Sequence, residues 1–264
     1  MTLLTVTGLV RDHVLPRRTL FGPAEVKRAL AGVSFEMADG DTLAIIGESG
    51  SGKSTLVRLI LALDSPTSGS VEFEGRRVAP GSAASLRWLR RETGIVLQDP
   101  YASLDPRMPV WRSVIEPLRA LGIDGDHRAM VAEVLERVGL AAELSTRYPH
   151  ELSGGQRQRV ALARAIVHGP KLLIGDEPLS ALDVTVRAQV VELLRELHRD
   201  LGLSMILVSH DIGLVQHFAR RVIVMHDGEI VEDGPSQRVL IAPEHEYTRA
   251  LLSAVPRLDG RRRR

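Results

Sequence analysis

The sequence lacks cysteine and any long apolar run, and both absences narrow the classes of protein it can encode. None of the 264 residues is cysteine, which excludes disulfides, thiolate–zinc sites and cysteine-held iron–sulfur clusters and suits a reducing compartment. Charged residues interrupt every stretch that approaches the roughly 18 consecutive apolar residues of a membrane span. The first residues, Met1 to Val6, do not resemble a signal peptide. We therefore expect a chain that stays in the cytosol and does not cross a membrane.

The sequence also lacks a charge imbalance. Lys and Arg total 34 against 33 Asp and Glu, which gives a formal net charge of +1 and no electrostatic reason to expect a nucleic-acid partner. The basic end, Arg261 to Arg264, favours a solvated tail over a contact with anionic lipid. Apolar residues, by contrast, make up 44% of the chain, enough to bury the core of one large domain with an inserted subdomain.

Short apolar runs predict strands separated by helices. Three of them fall in the first part of the chain, at 3–10, 31–37 and 42–46. The Pro- and Gly-containing segment 15–25 between the first two predicts a surface loop or a wide hairpin connection. Two later runs, at 172–174 and 205–208, flank a helical pattern over 186–201, which is typical of a parallel α/β sheet.

Two further patterns complete the predicted organisation. Between Met108 and Val167 apolar residues recur at helical spacing, which predicts an inserted helical region. Its two stripes are Val110, Val114, Leu118 and Leu121, and Val131, Val134, Leu135 and Val138. Asp227-Gly228 lies between two apolar runs and predicts a β-hairpin near the end of the chain.

The strongest motif is a glycine-rich loop, Gly47-Glu48-Ser49-Gly50-Ser51-Gly52-Lys53-Ser54, which fits G-x-x-x-x-G-K-[ST]. Its glycines let successive N–H groups turn inward, and the helix that follows directs its positive end at the same point, so phosphate is favoured twice. For a bound nucleoside triphosphate we predict that Lys53 reaches the β- and γ-phosphates, Ser54 contacts Mg²⁺ and Thr55 lies near the α-phosphate. The loop alone does not distinguish kinases, GTPases, helicases and other P-loop proteins. A plain Gly/Ser-rich turn is the alternative, and the predicted strand and helix on either side argue against it.

A second motif points to a family. Leu152-Ser153-Gly154-Gly155-Gln156 resembles the signature of ABC ATPases and follows the phosphate loop in that family's order. Ser153, Gly154 and Gly155 precede a helical run, so they form another helix N-terminus suited to phosphate. A simple Ser N-cap would not explain the match of all five residues. The resemblance implies a P-loop NTPase α/β core, a mostly parallel sheet with helices on both faces, plus an antiparallel β-subdomain and an inserted α-helical subdomain.

The run Leu172-Leu173-Ile174-Gly175-Asp176-Glu177 resembles the Walker B motif of the same family. The resemblance implies that Asp176 orients Mg²⁺. Glu177, one residue further and so on the other side of an extended backbone, would polarise the attacking water as general base. Gly175 stands where the family usually has a larger apolar residue, and we expect that difference to affect strand packing more than chemistry.

Three single residues follow in the family's order and look like its Q-loop, D-loop and H-loop: Gln98, Asp183 and His210. By resemblance, Gln98 senses Mg²⁺ and the attacking water and links to the membrane subunit. Asp183 would couple two nucleotide sites across a dimer, and His210 would contact the γ-phosphate. Each residue alone is weak evidence, and their shared order makes the interpretation strong.

One residue of the family pattern is missing. The family normally stacks adenine on an aromatic side chain near the N-terminus, and the aligned position holds Val14, with His13 beside it. An aliphatic contact from Val14 would cover the ring with weaker base selectivity than an aromatic face. Phe21 is interpreted as a core residue.

The chemistry predicts a dimer. Phosphoryl transfer to water needs charge stabilisation around the γ-phosphate from several sides, and a phosphate loop supplies one of them. The family resemblance implies that the signature of one subunit closes on the phosphate loop of another, with ATP between them. We therefore expect a second ABC ATPase subunit as partner, either identical or related.

Two longer segments resemble the oligopeptide, dipeptide and nickel importers: residues 98–107, which begin Gln98-Asp99-Pro100, and residues 245–256, which begin His245-Glu246-Tyr247. The resemblance implies two transmembrane permease subunits on other chains, an extracytoplasmic substrate-binding protein acting indirectly, and a peripheral position at the cytoplasmic face of the cell membrane. Import of oligopeptides or dipeptides is expected. Nickel or another small solute, an exporter and a non-transport ABC ATPase stay open.

The expected organisation is one ABC ATPase domain over 1–264. Its catalytic RecA-like core with the β-subdomain would occupy 1–107 and 168–235, and the helical signature subdomain 108–167. A C-terminal extension would follow at 236–264.

Overall fold

A mostly parallel sheet runs through the middle of the protein. The structure is a computed structural model that describes residues 1–14, 25–98, 103–179 and 182–254. The strands of this sheet are β3 (Thr42–Ile46), β6 (Thr93–Val96), β7 (Leu172–Asp176), β8 (Ser204–Val208), β9 (Arg221–His226) and β10 (Glu229–Pro235). Their order is β10-β9-β3-β8-β7-β6, and all neighbours are parallel except the β9–β10 pair. The predicted α/β class is confirmed.

The central strands are apolar on both faces because a core covers each side of the sheet. In β3 every residue is buried, and alternate side chains enter different cores. Leu43 and Ile45 face one core, while Ala44 and Ile46 face the other. Strands of this kind form continuous apolar runs, which is how the sequence pattern identified 42–46, 172–174 and 205–208.

One face of the sheet is covered by an antiparallel β-layer. It consists of β1 (Thr2–Val14), β2 (Val26–Ala38), β4 (Ser68–Phe73) and β5 (Arg76–Val78) in the order β2-β1-β4-β5. The helices α1 (Lys53–Ile60) and α2 (Arg87–Glu92) contribute to the same core. Val14 pairs with Val26, so the predicted hairpin connection joins β1 to β2, and its residues 15–24, including Phe21, lie outside the described residues.

The other face carries most of the helices. They are α3 (Val110–Leu121), α4 (His127–Arg137), α5 (Gly154–Ile166), α6 (Val184–Leu201), α7 (Ile212–Phe218) and α8 (Ser236–Ile241), with two short 3₁₀ helices at Ala142–Thr146 and Pro149–Glu151. Both predicted apolar stripes, on α3 and on α4 with the residue that follows it, are buried. The helices predicted between Met108 and Val167 are therefore confirmed, and Asp126 caps α4 by accepting from two backbone N–H groups.

The predicted hairpin is also confirmed. Asp227 and Gly228 have φ of 47° and 81°, as a two-residue type I′ turn requires, and they join β9 to β10. After α8 a last helix, α9 (Glu246–Ser253), lies against β10. Residues 255–264, with the basic Arg261 to Arg264, are outside the described part of the chain. Within the described ranges, no helix has the combination of length and apolar character that a bilayer span requires.

Close contact between α5 and the edge strand β6 depends on Gly94. A Cβ at Gly94 would lie 2.2 Å from the backbone oxygen of Ala165. We expect Gly94→Ala to lower the free energy of unfolding by about 1–3 kcal/mol, because α5 or β6 must shift. Urea unfolding measures this loss, provided that the dependence of the free energy of unfolding on urea concentration is the same in the variant and the wild type. In Gly213→Ala, within α7, the new Cβ meets only the Asp211 carboxylate at 3.4 Å, so a similar loss in both variants would contradict the prediction.

Candidate nucleotide-binding site

The predicted site residues lie along one edge of the parallel sheet. Parallel strands end at the same edge, and the register pairs Ile45 of β3 with Val208 of β8, which in turn pairs with Asp176 of β7. The glycine-rich loop after β3, the acids at the end of β7 and His210 after β8 therefore follow neighbouring strands. This is the edge at which open α/β sheets bind ligands.

The glycine-rich loop needs its glycines for both conformation and space. Gly47, Gly50 and Gly52 have φ of 151°, 88° and 104°. A Cβ on Gly47 would lie 2.2 Å from the carbonyl oxygen of Met225, and one on Gly52 would lie 2.5 Å from that of Ala29. The loop is thus fitted against β9 and β2, and α1 begins directly after Gly52, as the motif predicts.

Lys53 holds the loop together from inside. Its ammonium donates to the carbonyl oxygens of Gly47 and Glu48, both at 2.7 Å, and to Ser51 Oγ at 3.3 Å. The residue is only 5% exposed. Burial lowers the pKa of Lys53, while the carboxylates of Glu177, Asp176 and Glu48 act in the opposite direction. The lysine therefore lies close to the acids at the end of β7.

Ser54 and Asp176 form a pair with the chemistry of a magnesium site. Ser54 Oγ lies 3.3 Å from Asp176 Oδ1. Burial raises the pKa of Asp176 and the neighbouring charge of Glu177 adds to the effect, while the Ser54 hydrogen bond and the charge of Lys53 act in the opposite direction. Among the described residues no group of three or more Asp, Glu or His side chains surrounds a metal position. One carboxylate and one hydroxyl suit Mg²⁺, which keeps waters and phosphate oxygens as its other ligands.

Glu177 and His210 are in contact. His210 Nδ1 lies 3.4 Å from Glu177 Oε2. The predicted backbone of Glu177 was wrong, because β7 ends at Asp176 and Glu177 has φ of 49°. Its N–H still donates to Val208 O, at 3.0 Å, so the chain leaves the sheet through a left-handed residue instead of continuing the strand. Such a conformation in a non-glycine residue is costly and typical of functional sites.

Gly175, the departure from the family pattern, has a packing reason as predicted. A Cβ there would lie 2.8 Å from Pro178 Cγ and 3.1 Å from Leu207 Cδ1. The turn that carries Glu177 away from β7 brings Pro178 back over the strand, so a larger residue would require Pro178 or Leu207 to move.

Sequence reasoning missed an ion pair that involves Asp211, the residue after His210. Arg187 of α6 pairs with the carboxylate of Asp211, which caps α7 by accepting from Leu214 N–H at 3.1 Å. Arg187 also donates to the carbonyl of Leu182 at 3.1 Å. The segment after His210 and the segment before Asp183 are thus tied to one guanidinium. An Asp before a helix is a recognisable cap, but nothing in the sequence pairs it with an arginine 24 positions away.

The signature residues form a capped helix start. Ser153 Oγ accepts from Gln156 N–H at 3.2 Å, and Gln156 Oε1 accepts from Ser153 N–H at 2.8 Å. Gly154 and Gly155 are the first residues of α5. A Cβ on Gly155 would lie 2.7 Å from Val186 Cγ1, so the start of α5 packs against α6. The predicted second helix N-terminus is confirmed.

The signature helix and the phosphate loop lie beside different strands of the sheet. α5 packs on β6, the outermost strand, whereas the loop follows β3. Three strand spacings, roughly 14 Å, separate β3 from β6. The structure brings together Lys53, Ser54, Asp176, Glu177 and His210, and in the described part of the chain the side-chain hydrogen bonds of Ser153 lead to Gln156 and not to these residues.

The remaining predicted residues lie at the surface. Gln98 follows β6, whose Val96 pairs with Gly175, and its side chain is exposed. Asp183 is exposed and caps α6, accepting from Val186 N–H at 2.9 Å. Its neighbours 180–181, like 99–102 after Gln98, lie outside the described residues. Glu48, Ser49, Gly50 and Ser54 of the loop are exposed, and Thr55 is half-buried.

Val14, aligned with the adenine-stacking position, ends β1 with 71% of its surface exposed. Its cross-strand partner Val26 is 56% exposed. The two form a small apolar surface, and exposed aliphatic pairs of this kind can cover the face of a base without the selectivity of an aromatic ring.

Known proteins are similar to this chain in sequence and in fold. The family model described as ABC transporter matches residues 30–180, and the model described as the C-terminal region of oligopeptide/dipeptide transporters matches residues 231–264. The glutathione import ATP-binding protein GsiA of Escherichia coli K12 is 49% identical over 263 residues. GsiA of Salmonella typhimurium LT2 is 48% identical over 265 residues. Each alignment covers 99% of this chain and 42% of the relative, so the chain spans less than half the length of these curated relatives.

Solved structures show the same architecture. The ATP-binding cassette MJ0796, in a dimeric post-hydrolysis state bound to ADP and Pi, is similar with a TM-score of 0.77 and 28% identity, over 89% of this chain and 99% of that one. The cbiO1 protein of Clostridium perfringens, part of the ABC transporter complex cbiONQ, has a TM-score of 0.77 and 31% identity, over 90% of each chain. With a family match over more than half of its residues, the chain belongs to the ABC transporter family.

Proposed function

We propose that this chain binds and hydrolyses ATP with magnesium and thereby drives an importer whose membrane-spanning parts are other subunits. The observation that carries the proposal is the convergence of a buried lysine, a Ser–Asp pair and a Glu–His pair at one edge of the sheet. Together these groups provide phosphate binding, a cation position and a base for water, which is what phosphoryl transfer to water requires.

In the proposed site, residues 47–55 hold the phosphates of ATP. The N-terminus of α1 directs backbone N–H groups and its positive end toward them. Lys53 would exchange part of its bonding with Gly47 O and Glu48 O for phosphate oxygens while staying buried. Ser54 and Asp176 would hold Mg²⁺, which supplies charge neutralisation at the phosphates when bound.

Glu177 is the proposed general base and His210 its neighbour on the γ-phosphate side. The 3.4 Å contact shows that the two side chains reach the same point. Glu177 would accept the proton of the attacking water, and His210 would orient that water and contact the γ-phosphate. Gln98 is proposed to sense the ion and water from the end of β6.

The signature residues are proposed to act across a dimer. Because Ser153 Oγ only accepts in the capping box, its proton remains available to a phosphate from a second subunit. The separation between β6, on which α5 packs, and β3, which the phosphate loop follows, supports this arrangement. The D-loop residue Asp183, at the start of α6, would lie at the same interface. Both an identical and a related ATPase subunit fit the proposal.

Peptides are the proposed class of transported solute. The match of residues 231–264 to the C-terminal region of oligopeptide/dipeptide transporters supports this choice over nickel or another small solute. The two GsiA relatives are named glutathione import ATP-binding proteins, and glutathione is a tripeptide. Two permease subunits, an extracytoplasmic binding protein and a peripheral position at the cytoplasmic membrane face belong to the same proposal.

Exposed apolar residues beside the edge strand support contact with a permease. Leu97, next to Gln98, is 47% exposed, and Leu63 after α1 is 53% exposed. Leu63 lines a groove with Ile95 of β6 and Leu121 of α3, between the sheet and the helices proposed to form a unit over 108–167. A permease helix seated there would connect Gln98 and the signature helix to the membrane.

Replacing the base should trap the dimer. Glu177→Gln removes the proton acceptor but keeps the shape of the side chain, so we expect ATP hydrolysis to fall at least 100-fold while ATP and Mg²⁺ produce a stable dimer. Phosphate release and light scattering measure the two effects. Glu192→Gln, an exposed residue of α6 paired with Arg195, is the control. If Glu177→Gln hydrolyses ATP at the wild-type rate, the proposed base is wrong.

An aromatic residue at position 14 should strengthen adenine binding. Val14→Tyr would add a stacking surface worth about 1 kcal/mol, so we expect roughly fivefold tighter ATP binding and a larger preference for ATP over GTP. Titration with fluorescent analogues of both nucleotides measures it. Ile241→Tyr, at a 70% exposed position on α8, controls for an added surface tyrosine. If the wild type and Val14→Tyr bind ATP with equal affinity, adenine does not stack at position 14.

Cells that lack this chain should lose peptide uptake. We expect uptake of labelled dipeptides, tripeptides or glutathione to fall to background, with restoration by the wild-type chain and not by Glu177→Gln. Nickel uptake, measured in the same strains, is expected to stay unchanged. Loss of nickel uptake with normal peptide uptake would contradict the proposal and identify nickel as the transported solute.

A further inference from the structure

The C-terminal helix α9 is fixed to the sheet through Glu232. This residue of β10 is 8% exposed, and its carboxylate accepts from the N–H groups of Glu244 at 3.0 Å and His245 at 3.1 Å. Burial opposes its charge, but these hydrogen bonds contribute to a pKa of Glu232 below the usual value. His245 Nδ1 then accepts from Tyr247 N–H at 3.1 Å, and Thr248 is fully buried. The start of α9 is therefore held against β10 by hydrogen bonds and burial.

This placement puts Tyr247 beside the glycine-rich loop. Its ring stacks on His226, the last residue of β9, with centroids 3.9 Å apart and an angle of 25°. Its hydroxyl accepts the backbone N–H of Glu48 at 3.0 Å. Burial raises the pKa of Tyr247, so the phenol is neutral at pH 7. A residue of the C-terminal helix thus holds a residue of the loop 199 positions away.

The same loop residue is held from its other side by Lys53. The carbonyl oxygen of Glu48 accepts from Lys53 Nζ at 2.7 Å and from Ser51 N–H at 3.2 Å. The Tyr247 hydroxyl therefore fixes the residue whose carbonyl positions the buried ammonium. The N–H of Glu48 lies five positions before the start of α1 and is directed at Tyr247. The bond leaves the N–H groups at the helix N-terminus free for phosphate.

We propose that Tyr247 is a positioning residue for nucleotide binding, which couples the C-terminal helix α9 to the phosphate loop through the Glu48 N–H. The inference rests on the proposed ATP site. Since coupling between two events is reciprocal, a hydroxyl that favours ATP binding also makes bound ATP favour the docked position of α9.

Tyr247→Phe tests the hydroxyl while keeping the ring on His226. We expect the dissociation constant of ATP, and the KM for hydrolysis, to rise roughly three- to tenfold, the effect of one hydrogen bond, with kcat changed less than twofold. Ser253→Ala is the matched control, because it removes a hydroxyl of α9 that donates to the carbonyl of Ala250 in the same helix. A purely structural role would instead lower kcat and thermal stability together.

Hydrogen–deuterium exchange gives a second readout. In Tyr247→Phe without nucleotide, the peptide covering residues 47–53 should exchange several-fold faster, while peptides of α9 keep their protection. Addition of ATP and Mg²⁺ should slow exchange in α9 of the wild type and of Ser253→Ala, and should not do so in Tyr247→Phe.

Lys53→Ala separates the two proposals. If Lys53→Ala abolishes ATP binding and Tyr247→Phe binds ATP as the wild type does, the positioning role is overturned and the proposed site stands. Tighter binding in Tyr247→Phe would overturn it as well, since the hydroxyl would then restrain the loop against the nucleotide. If Lys53→Ala retains full affinity, the proposed ATP site itself is wrong.

Discussion

The buried ammonium of Lys53 is the interaction on which the site depends. A charge that is 5% exposed must be surrounded by acceptors, and here two backbone carbonyls and one hydroxyl supply them. Those carbonyls point inward only because the loop turns through glycines with positive φ. The loop also fits against β9 and β2 only because Gly47 and Gly52 have no Cβ that would collide with these strands. The position of Lys53 therefore depends on the loop conformation, and the loop conformation depends on its fit against the two strands.

The buried charges of the site suit a magnesium nucleotide as the proposed ligand. Burial and the adjacent Glu177 both raise the pKa of Asp176, while the same burial lowers the pKa of Lys53. A cation near Asp176 and phosphate near Lys53 would each stabilise the charged form of its neighbour. A cation and a phosphate carried by one ligand would therefore meet both groups at once.

The parts of the site that were predictable from sequence are those encoded by contiguous residues. The loop 47–54, the strand that ends at Asp176, the cap at Ser153 and the turn at Asp227-Gly228 each carry their own local signal. Contacts between residues far apart in the chain have no such local signal. The hydrogen bond from Glu48 to Tyr247 depends on how α9 docks on β10, and that docking depends on the buried Glu232. The left-handed Glu177 was also unpredictable, since strand alternation says nothing about the residue after the last pair.

The same long-range contacts show how the edge of the sheet can act as a unit. Arg187 of α6 ties the segment after His210 to the carbonyl of Leu182, which precedes the cap of α6, and α6 packs against the first turn of α5 through Gly155 and Val186. A second subunit that bound at the start of α5 would therefore press on α6, and through Arg187 on the loop that holds His210 against Glu177. The proposed closure of a dimer and the proposed alignment of base and γ-phosphate are thus connected by packed, hydrogen-bonded groups within one chain.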